Sequence, residues 1–307
     1  MPGKQIARDI TYATSAQTRG GRAVIRVMEN ATGRLKLIRK VRGYDEAVQS
    51  GADFWQVVPE RYGLSLQVVG GELENIPAEG PLIVVANHPY GILDGLMMGH
   101  ILSARRGGAF KVLAHRIFRK SPDLERVILP VSFDDTKEAA QLNLQTRKEA
   151  IGWLGQGGAI GIFPGGTVST GASPFSQPLD PQWRNFTARM IAKSEAAVVP
   201  IYFDGHNSRL FNIASHIHTT LRMGMLIREF HARLNAPVRV AIGAPIPREA
   251  LMAHKGDSKA MMAFLRKSTY DLAPNAVDAS RHGREFEQKY RPGKEAKGKR
   301  ADGGGDL

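Results

Sequence analysis

The chain of 307 residues carries 42 Lys and Arg against 29 Asp and Glu, a formal charge of +13, so its partners are anionic; nucleic acid and an acidic membrane surface are the classes that charge alone admits. The absence of cysteine excludes disulfides, thiolate metal sites and a cysteine nucleophile. A hydrophobic fraction of 42% suits one sizeable core, no run approaches the roughly 18 apolar residues of a membrane span, and the first residues lack the apolar centre of a secretory signal, which points to the cytoplasm.

Residues 18–42 read as a basic amphipathic helix, with Val24, Val27, Met28, Ala31, Leu35, Ile38 and Val41 on one stripe and Arg22, Arg26, Arg34, Lys36, Arg39, Lys40 and Arg42 over much of the rest. Such a helix suits a lipid interface, and it suits equally a surface helix docked on its own core with a solvated basic face. Gly33 in its middle costs about 1 kcal/mol of helix propensity.

From residue 64 short apolar strands alternate with helical patterns, the signature of an α/β sheet with crossover helices. Strands are expected near 64–69, 82–86, 110–113, 127–131, 159–163, 198–203 and 238–242, and helices near 93–105, 137–154, 181–194, 211–231, 247–254 and 258–272. From about Arg281 the chain turns basic and polar and reads as a disordered tail. The organisation expected is a basic extension over 1–55, one domain over 56–280 and a tail over 281–307.

Two blocks carry chemistry. In the first, the apolar run 82–86 stops at Asn87-His88-Pro89-Tyr90-Gly91-Ile92-Leu93-Asp94. Pro89 keeps Asn87 and His88 out of a regular ladder, Gly91 permits a tight bend, and a helix follows, so His88 and Asp94 flank one bend. A carboxylate on one imidazole nitrogen leaves the other as an acceptor, which is what deprotonating an alcohol requires. The spacing is equally compatible with Asp94 capping the helix while His88 satisfies loop backbone.

The second block, Phe163-Pro164-Gly165-Gly166-Thr167-Val168-Ser169-Thr170, also runs from a strand into a turn, with glycines and hydroxyls suited to an anion or a carbonyl oxygen. It is not a phosphate loop, because no Gly-Lys-Ser/Thr follows. His216 and His218, two apart on a predicted helix, point away from each other, which argues against a metal shared with His206.

Together these blocks resemble those of the glycerolipid acyltransferases, which acylate glycerol phosphate and lysophospholipids. The His88-to-Asp94 spacing is one residue longer than the family's usual His-x4-Asp and is similar to that of its hemolysin-like branch. Residues 163–169 keep the frame of the family's Phe-Pro-Glu-Gly-Thr-Arg-Ser block, with Gly165 in place of Glu and Val168 in place of Arg. In the family those two residues help hold a glycerol hydroxyl and a phosphate. Val198-Val199-Pro200-Ile201-Tyr202 matches the fourth block, and residues 203–211 again resemble the hemolysin-like branch. The Arg of the second block has no counterpart near residues 129–135.

Over residues 64–246 the resemblance implies a single acyltransferase-type α/β domain built on a central mixed, largely parallel sheet flanked by helices. It implies His88 as general base and Asp94 as its orienter, with Asn87, Gly165, Gly166, Thr167, Ser169 and Arg209 binding substrate and loop N–H groups near 165–167 facing the oxyanion. No metal or bound cofactor is expected; acyl carrier protein or acyl-CoA is the cosubstrate. The expected acceptor is a lyso-lipid (a lysophospholipid, lysophosphatidic acid or a lyso-aminolipid) at an anionic membrane surface on the cytoplasmic face. Loss of the Glu and Arg points to an acceptor bulkier or less phosphate-dependent than glycerol 3-phosphate, its head steered by Arg209, with Arg116 and Arg119 as weaker candidates. A catalytically inactive lipid-binding relative is the alternative. A nucleic-acid binder fits less well, since aromatics are 7% and no stacking motif is present.

Overall fold

Leu82–Ala86 is apolar at every position, and a strand of that kind is stable only with both faces covered. The computed structural model, which describes residues 11–16, 18–115, 122–132 and 136–287, places it in the middle of a sheet. The strands are β1 (Ser65–Gly71), β2 (Leu82–Ala86), β3 (Phe110–His115), β4 (Ile128–Val131), β5 (Ala159–Ile162), β6 (Ala197–Phe203) and β7 (Pro237–Ile242). Their order is β1-β7-β6-β2-β5-β3-β4, with every neighbouring pair parallel except β6 and β7. The expected mixed, largely parallel α/β sheet is therefore present, and each expected strand is found.

The helices are α1 (Arg19–Ala31), α2 (Arg34–Lys40), α3 (Tyr44–Gln49), α4 (Phe54–Tyr62), α5 (Ile92–Arg106), α6 (Pro122–Val127), α7 (Lys137–Gly155), α8 (Phe186–Ile191), α9 (Arg209–Ile217), α10 (Thr219–Ala232), α11 (Arg248–Met252) and α12 (Ser258–Tyr270). Successive residues of a strand point to opposite faces, and β2 divides accordingly. Leu82, Val84 and Ala86 pack with Leu93, Met97 and Ile101 of α5, whereas Ile83 and Val85 pack with residues of α7, α8 and α12. The chain leaving β2 thus passes to one face through α5, and the chain leaving the adjacent β5 passes to the other through α8. Loops that part in this way leave a crevice at the carboxyl ends of the strands, where open α/β sheets bind ligands.

Three expected elements differ. The helix expected over 18–42 is broken at Thr32 and Gly33, where Gly33 has φ 127 and a side chain would run into His231. Its two halves bury Ile25, Leu37 and Val41 in the main core, while Val24, Val27 and Leu35 of the expected stripe are exposed. The helix expected over 211–231 is interrupted at His218, which is extended and whose side chain accepts the Thr220 N–H to start α10. The helix expected over 181–194 is only the six residues of α8.

The solvated tail expected from Arg281 is held to the domain as far as Glu287. The Gly283 N–H donates to the Asp180 carbonyl at 2.9 Å, the Arg284 N–H donates to the Thr170 carbonyl at 3.0 Å, and Arg184 grips both carboxylate oxygens of Glu285. Residues 288–307 lie outside the described residues, as do Arg116 and Arg119. No helix among the described residues is long and apolar enough to cross a membrane.

Candidate functional site

The strand β2 delivers Asn87 and His88 to the crevice, and Gly91, at φ 95, turns the chain into α5. That conformation is closed to most side chains, and a Cβ at Gly91 would meet the Tyr12 hydroxyl and a Val168 methyl at 3.2 and 3.3 Å. The bend returns Asp94 toward His88. Asp94 Oδ2 lies 2.9 Å from His88 Nδ1 and accepts the N–H groups of Tyr90 and Gly91 at 2.7 and 2.9 Å. Burial pushes the Asp94 carboxyl upward, while the His88 contact and the two backbone donors pull it down. Its other oxygen, Oδ1, is buried without a hydrogen-bond partner among the described residues.

The His88 ring stacks on Phe163, with centroids 4.4 Å apart, and 18% of its side chain stays exposed. With Nδ1 on the carboxylate, Nε2 is the nitrogen available as a proton acceptor.

The Asn87 side chain is engaged within the sheet. Its side-chain amide donates to the Phe203 carbonyl at 2.9 Å, and its oxygen accepts the Phe203 N–H at 2.7 Å, tying the end of β2 to β6. Ser169 is likewise turned inward, its N–H on the His88 carbonyl at 2.8 Å and its hydroxyl on Asp180.

A residue that the sequence did not single out joins the two blocks. Asp180, fully buried, accepts the His88 N–H at 3.2 Å and the Ser169 hydroxyl through Oδ1, and the Trp183 indole N–H at 2.8 Å through Oδ2. A Cβ at Gly165 would lie 3.3 Å from the Asp180 carboxylate carbon, so the position that holds Glu in the related block is here occupied closely by a carboxylate from elsewhere.

Arg222 of α10 is the second such residue. Only 3% exposed, it reaches the Thr167 hydroxyl at 3.1 Å, the Val168 carbonyl at 2.8 Å, the Ser215 hydroxyl at 3.0 Å and the Thr170 hydroxyl. It brings a cation to the block in which Val168 replaces Arg. The signal available in the sequence was its position on the core stripe of α10, one turn before Met225 and Leu226, where a charged residue is out of place.

His88, Gly166, Thr167, Val168 and Arg222 border a cavity of about 1670 Å³, with apolar walls from residues such as Leu96, Leu113, Leu144 and Phe230. The volume exceeds the roughly 300–1,000 Å³ of ordinary small-molecule pockets and suits long aliphatic chains. The N-terminal segment supplies part of the wall through Tyr12, which is held by the buried Glu29 carboxylate.

Asn87, Gly165 and Ser169 are not among the residues that line the cavity, and neither is Arg209, which is exposed on the first turn of α9. The structure thus brings His88, Asp94, Gly166 and Thr167 together and leaves Arg209 apart. The histidines considered for a metal are occupied separately. His206 contacts the Asn207 carbonyl, His216 contacts the Gly171 carbonyl and Arg284, and His218 caps α10.

The family described as Acyltransferase matches residues 50–280. A lyso-glycine lipid O-acyltransferase of Phocaeicola vulgatus is 26% identical over 209 residues, covering 66% of this chain and 72% of that protein. One of the same name from Bacteroides thetaiotaomicron is 27% identical over 203 residues, covering 64% and 71%. The crystal structure of the 1-acyl-sn-glycerophosphate (LPA) acyltransferase PlsC from Thermotoga maritima aligns over 87% of each chain at 16% identity, with a TM-score of 0.45. With the whole sheet, both loops and the His88 and Asp94 pair inside the matched residues, the chain belongs to the acyltransferase family.

Proposed function

We propose that this protein moves a fatty acyl group from a thioester donor, acyl carrier protein or acyl-CoA, to a hydroxyl of a lyso-lipid. The observation that carries the reading is the contact of His88 Nδ1 with Asp94 Oδ2, 2.9 Å, at the wall of a large apolar cavity. Family membership and the likeness to two lyso-glycine lipid O-acyltransferases support it and make a lyso-glycine lipid the first acceptor to try.

In this mechanism His88 Nε2 takes the proton from the acceptor hydroxyl, whose oxygen attacks the thioester carbonyl carbon. The tetrahedral oxyanion collapses with cleavage of the C–S bond, and the imidazolium returns its proton to the departing thiolate, giving an ester and a free thiol. Asp94 holds the ring and offsets the transient positive charge. Developing negative charge on the carbonyl oxygen needs donors. The Thr167 N–H, without a partner among the described residues, is available at the cavity wall.

The lipid surface is met, in the same reading, by the basic N-terminal helices. Val24, Val27 and Leu35, exposed by 47, 68 and 52%, lie among exposed cationic residues including Arg22, Lys36 and Arg39. Exposed apolar residues set among cations favour an anionic bilayer interface.

The experiment is acyl transfer by purified protein with lyso-glycine lipid, lysophosphatidic acid, a lysophospholipid and glycerol 3-phosphate, each offered with acyl carrier protein and CoA thioesters. Turnover is expected on a lyso-lipid. Turnover on none, or only on glycerol 3-phosphate, contradicts the reading.

A further inference from the structure

Arg222 has no carboxylate partner among the described residues. Both of its terminal nitrogens bond neutral groups, the hydroxyls of Thr167, Thr170 and Ser215 and the carbonyl of Val168. Its guanidinium also lies over the rings of Phe211 and Phe286, at 4.9 and 4.1 Å. Burial draws its pKa down to about 9, which still leaves it charged at neutral pH. Hydroxyls, a carbonyl and ring faces offer partial charges only, and a buried cation without a counter-ion is costly to keep.

The charge is not remote from the reaction. Arg222 holds the carbonyl of Val168, a methyl of Val168 sits against Gly91 in the His88 bend, and Arg222 and His88 border the same cavity.

We propose that Arg222 anchors the acceptor through an anionic head group, a carboxylate, completing its charge balance only when the lyso-lipid is bound. This rests on the acyl-transfer reading and adds the identity of the group that fixes the acceptor's register. A single guanidinium matches a single negative charge; its four terminal N–H groups already reach Thr167, Val168, Thr170 and Ser215, so a bound carboxylate takes the place of one or more of the hydroxyl acceptors. A phosphate monoester carries about −1.5 to −2 and would call for further cations. Arg184, also at the cavity wall, is engaged with Glu285 and Glu287, while Arg147, Arg189 and Lys259 line the same cavity, so the lysophosphatidic acid arm of the test decides between the two head groups.

The test compares lyso-glycine lipid with its methyl ester, and with lysophosphatidic acid, using wild type, Arg222→Gln and Arg222→Lys. Wild type is expected to show a KM for the acid roughly 10- to 100-fold below that for the ester, the range expected for charge-assisted hydrogen bonds. Arg222→Gln is expected to bring that preference to about one, and Arg222→Lys to keep part of it. A purely structural Arg222 would lower turnover of acid and ester together and leave their ratio alone, which would overturn the proposal. A wild type indifferent to the methyl ester, or preferring lysophosphatidic acid to the glycine acceptor, would overturn it too, even where the Gln variant fails to fold. Turnover of none of the three acceptors would instead remove the acyl-transfer reading beneath it.

Discussion

Asp94 Oδ2 lies 2.9 Å from His88 Nδ1 while accepting the N–H groups that open α5, so one carboxylate both caps the helix and meets the imidazole. The two readings that the sequence left open are therefore compatible, and the extra residue in this bend does not part the pair. Asp94→Asn should keep the cap, since an amide oxygen also accepts N–H groups, and should lose the oriented, charge-stabilised imidazole. A fall in kcat of about 10²- to 10⁴-fold is expected, with an unfolding midpoint changed much less than by Asp94→Ala. Steady-state kinetics beside thermal melts check this; near-normal kcat for Asp94→Asn would show that the contact is only a cap.

Asp180 predicts a stability effect. Its carboxylate gathers the His88 N–H, the Ser169 hydroxyl and the Trp183 indole without exposure to water. Hydrogen bonds to a charged group contribute about 1.5–3 kcal/mol each, and a buried donor left unpaired costs more. Asp180→Ala should lower stability by about 3–5 kcal/mol, read from urea unfolding, a loss expected of breaking a buried polar network. A loss under about 1 kcal/mol would mean that these bonds do not hold the blocks together.

Restoring the family residue at Gly165 should harm this protein. A side chain there starts 3.3 Å from the Asp180 carboxylate, so Gly165→Glu brings a second negative charge against a buried one. The variant should melt lower than wild type, and combining it with Asp180→Ala should cost less than the sum of the single changes by about 1 kcal/mol or more. Additive losses in this double-mutant cycle would rule out the proximity as the cause.

The membrane proposal calls for a surgical variant. Ile25, Leu37 and Val41 lie in the main core and Tyr12 walls the cavity, so removing residues 1–42 would damage the fold along with any lipid surface. Replacing exposed Val27 with Ser and Arg22 and Lys36 with Glu leaves the core alone. Binding to anionic vesicles should then weaken, and wild-type binding should fall with salt. Unchanged vesicle binding would take these helices out of the account.

The sheet was legible because its strands are short, apolar and bounded by Gly and Pro, and the His88 bend was legible because Pro89 and Gly91 mark it. What could not be read depended on distant contacts. Nothing local distinguishes Asp180 from any turn aspartate, and its role exists only because β2, β5 and the segment before α8 converge. Arg209 stands close in sequence to the fourth block, yet the Ser208 cap starts α9 there and leaves Arg209 exposed. Arg222, farther along the chain, reaches the altered block from α10 because the break at His218 begins a new helix. Hydrophobic periodicity carries across such a break, and so one long helix was expected where two were found.

The measurement that bears most directly on the account is product formation, followed by mass spectrometry, from purified wild type and His88→Ala given lyso-glycine lipid and an acyl thioester. His88→Ala leaves Asp94 its two backbone hydrogen bonds and should fold. Wild type should give acylated lipid and free thiol in equal amounts, and the variant a rate lower by about 10²-fold or more. Folded His88→Ala protein that forms product at close to the wild-type rate would contradict the assignment of His88 as general base.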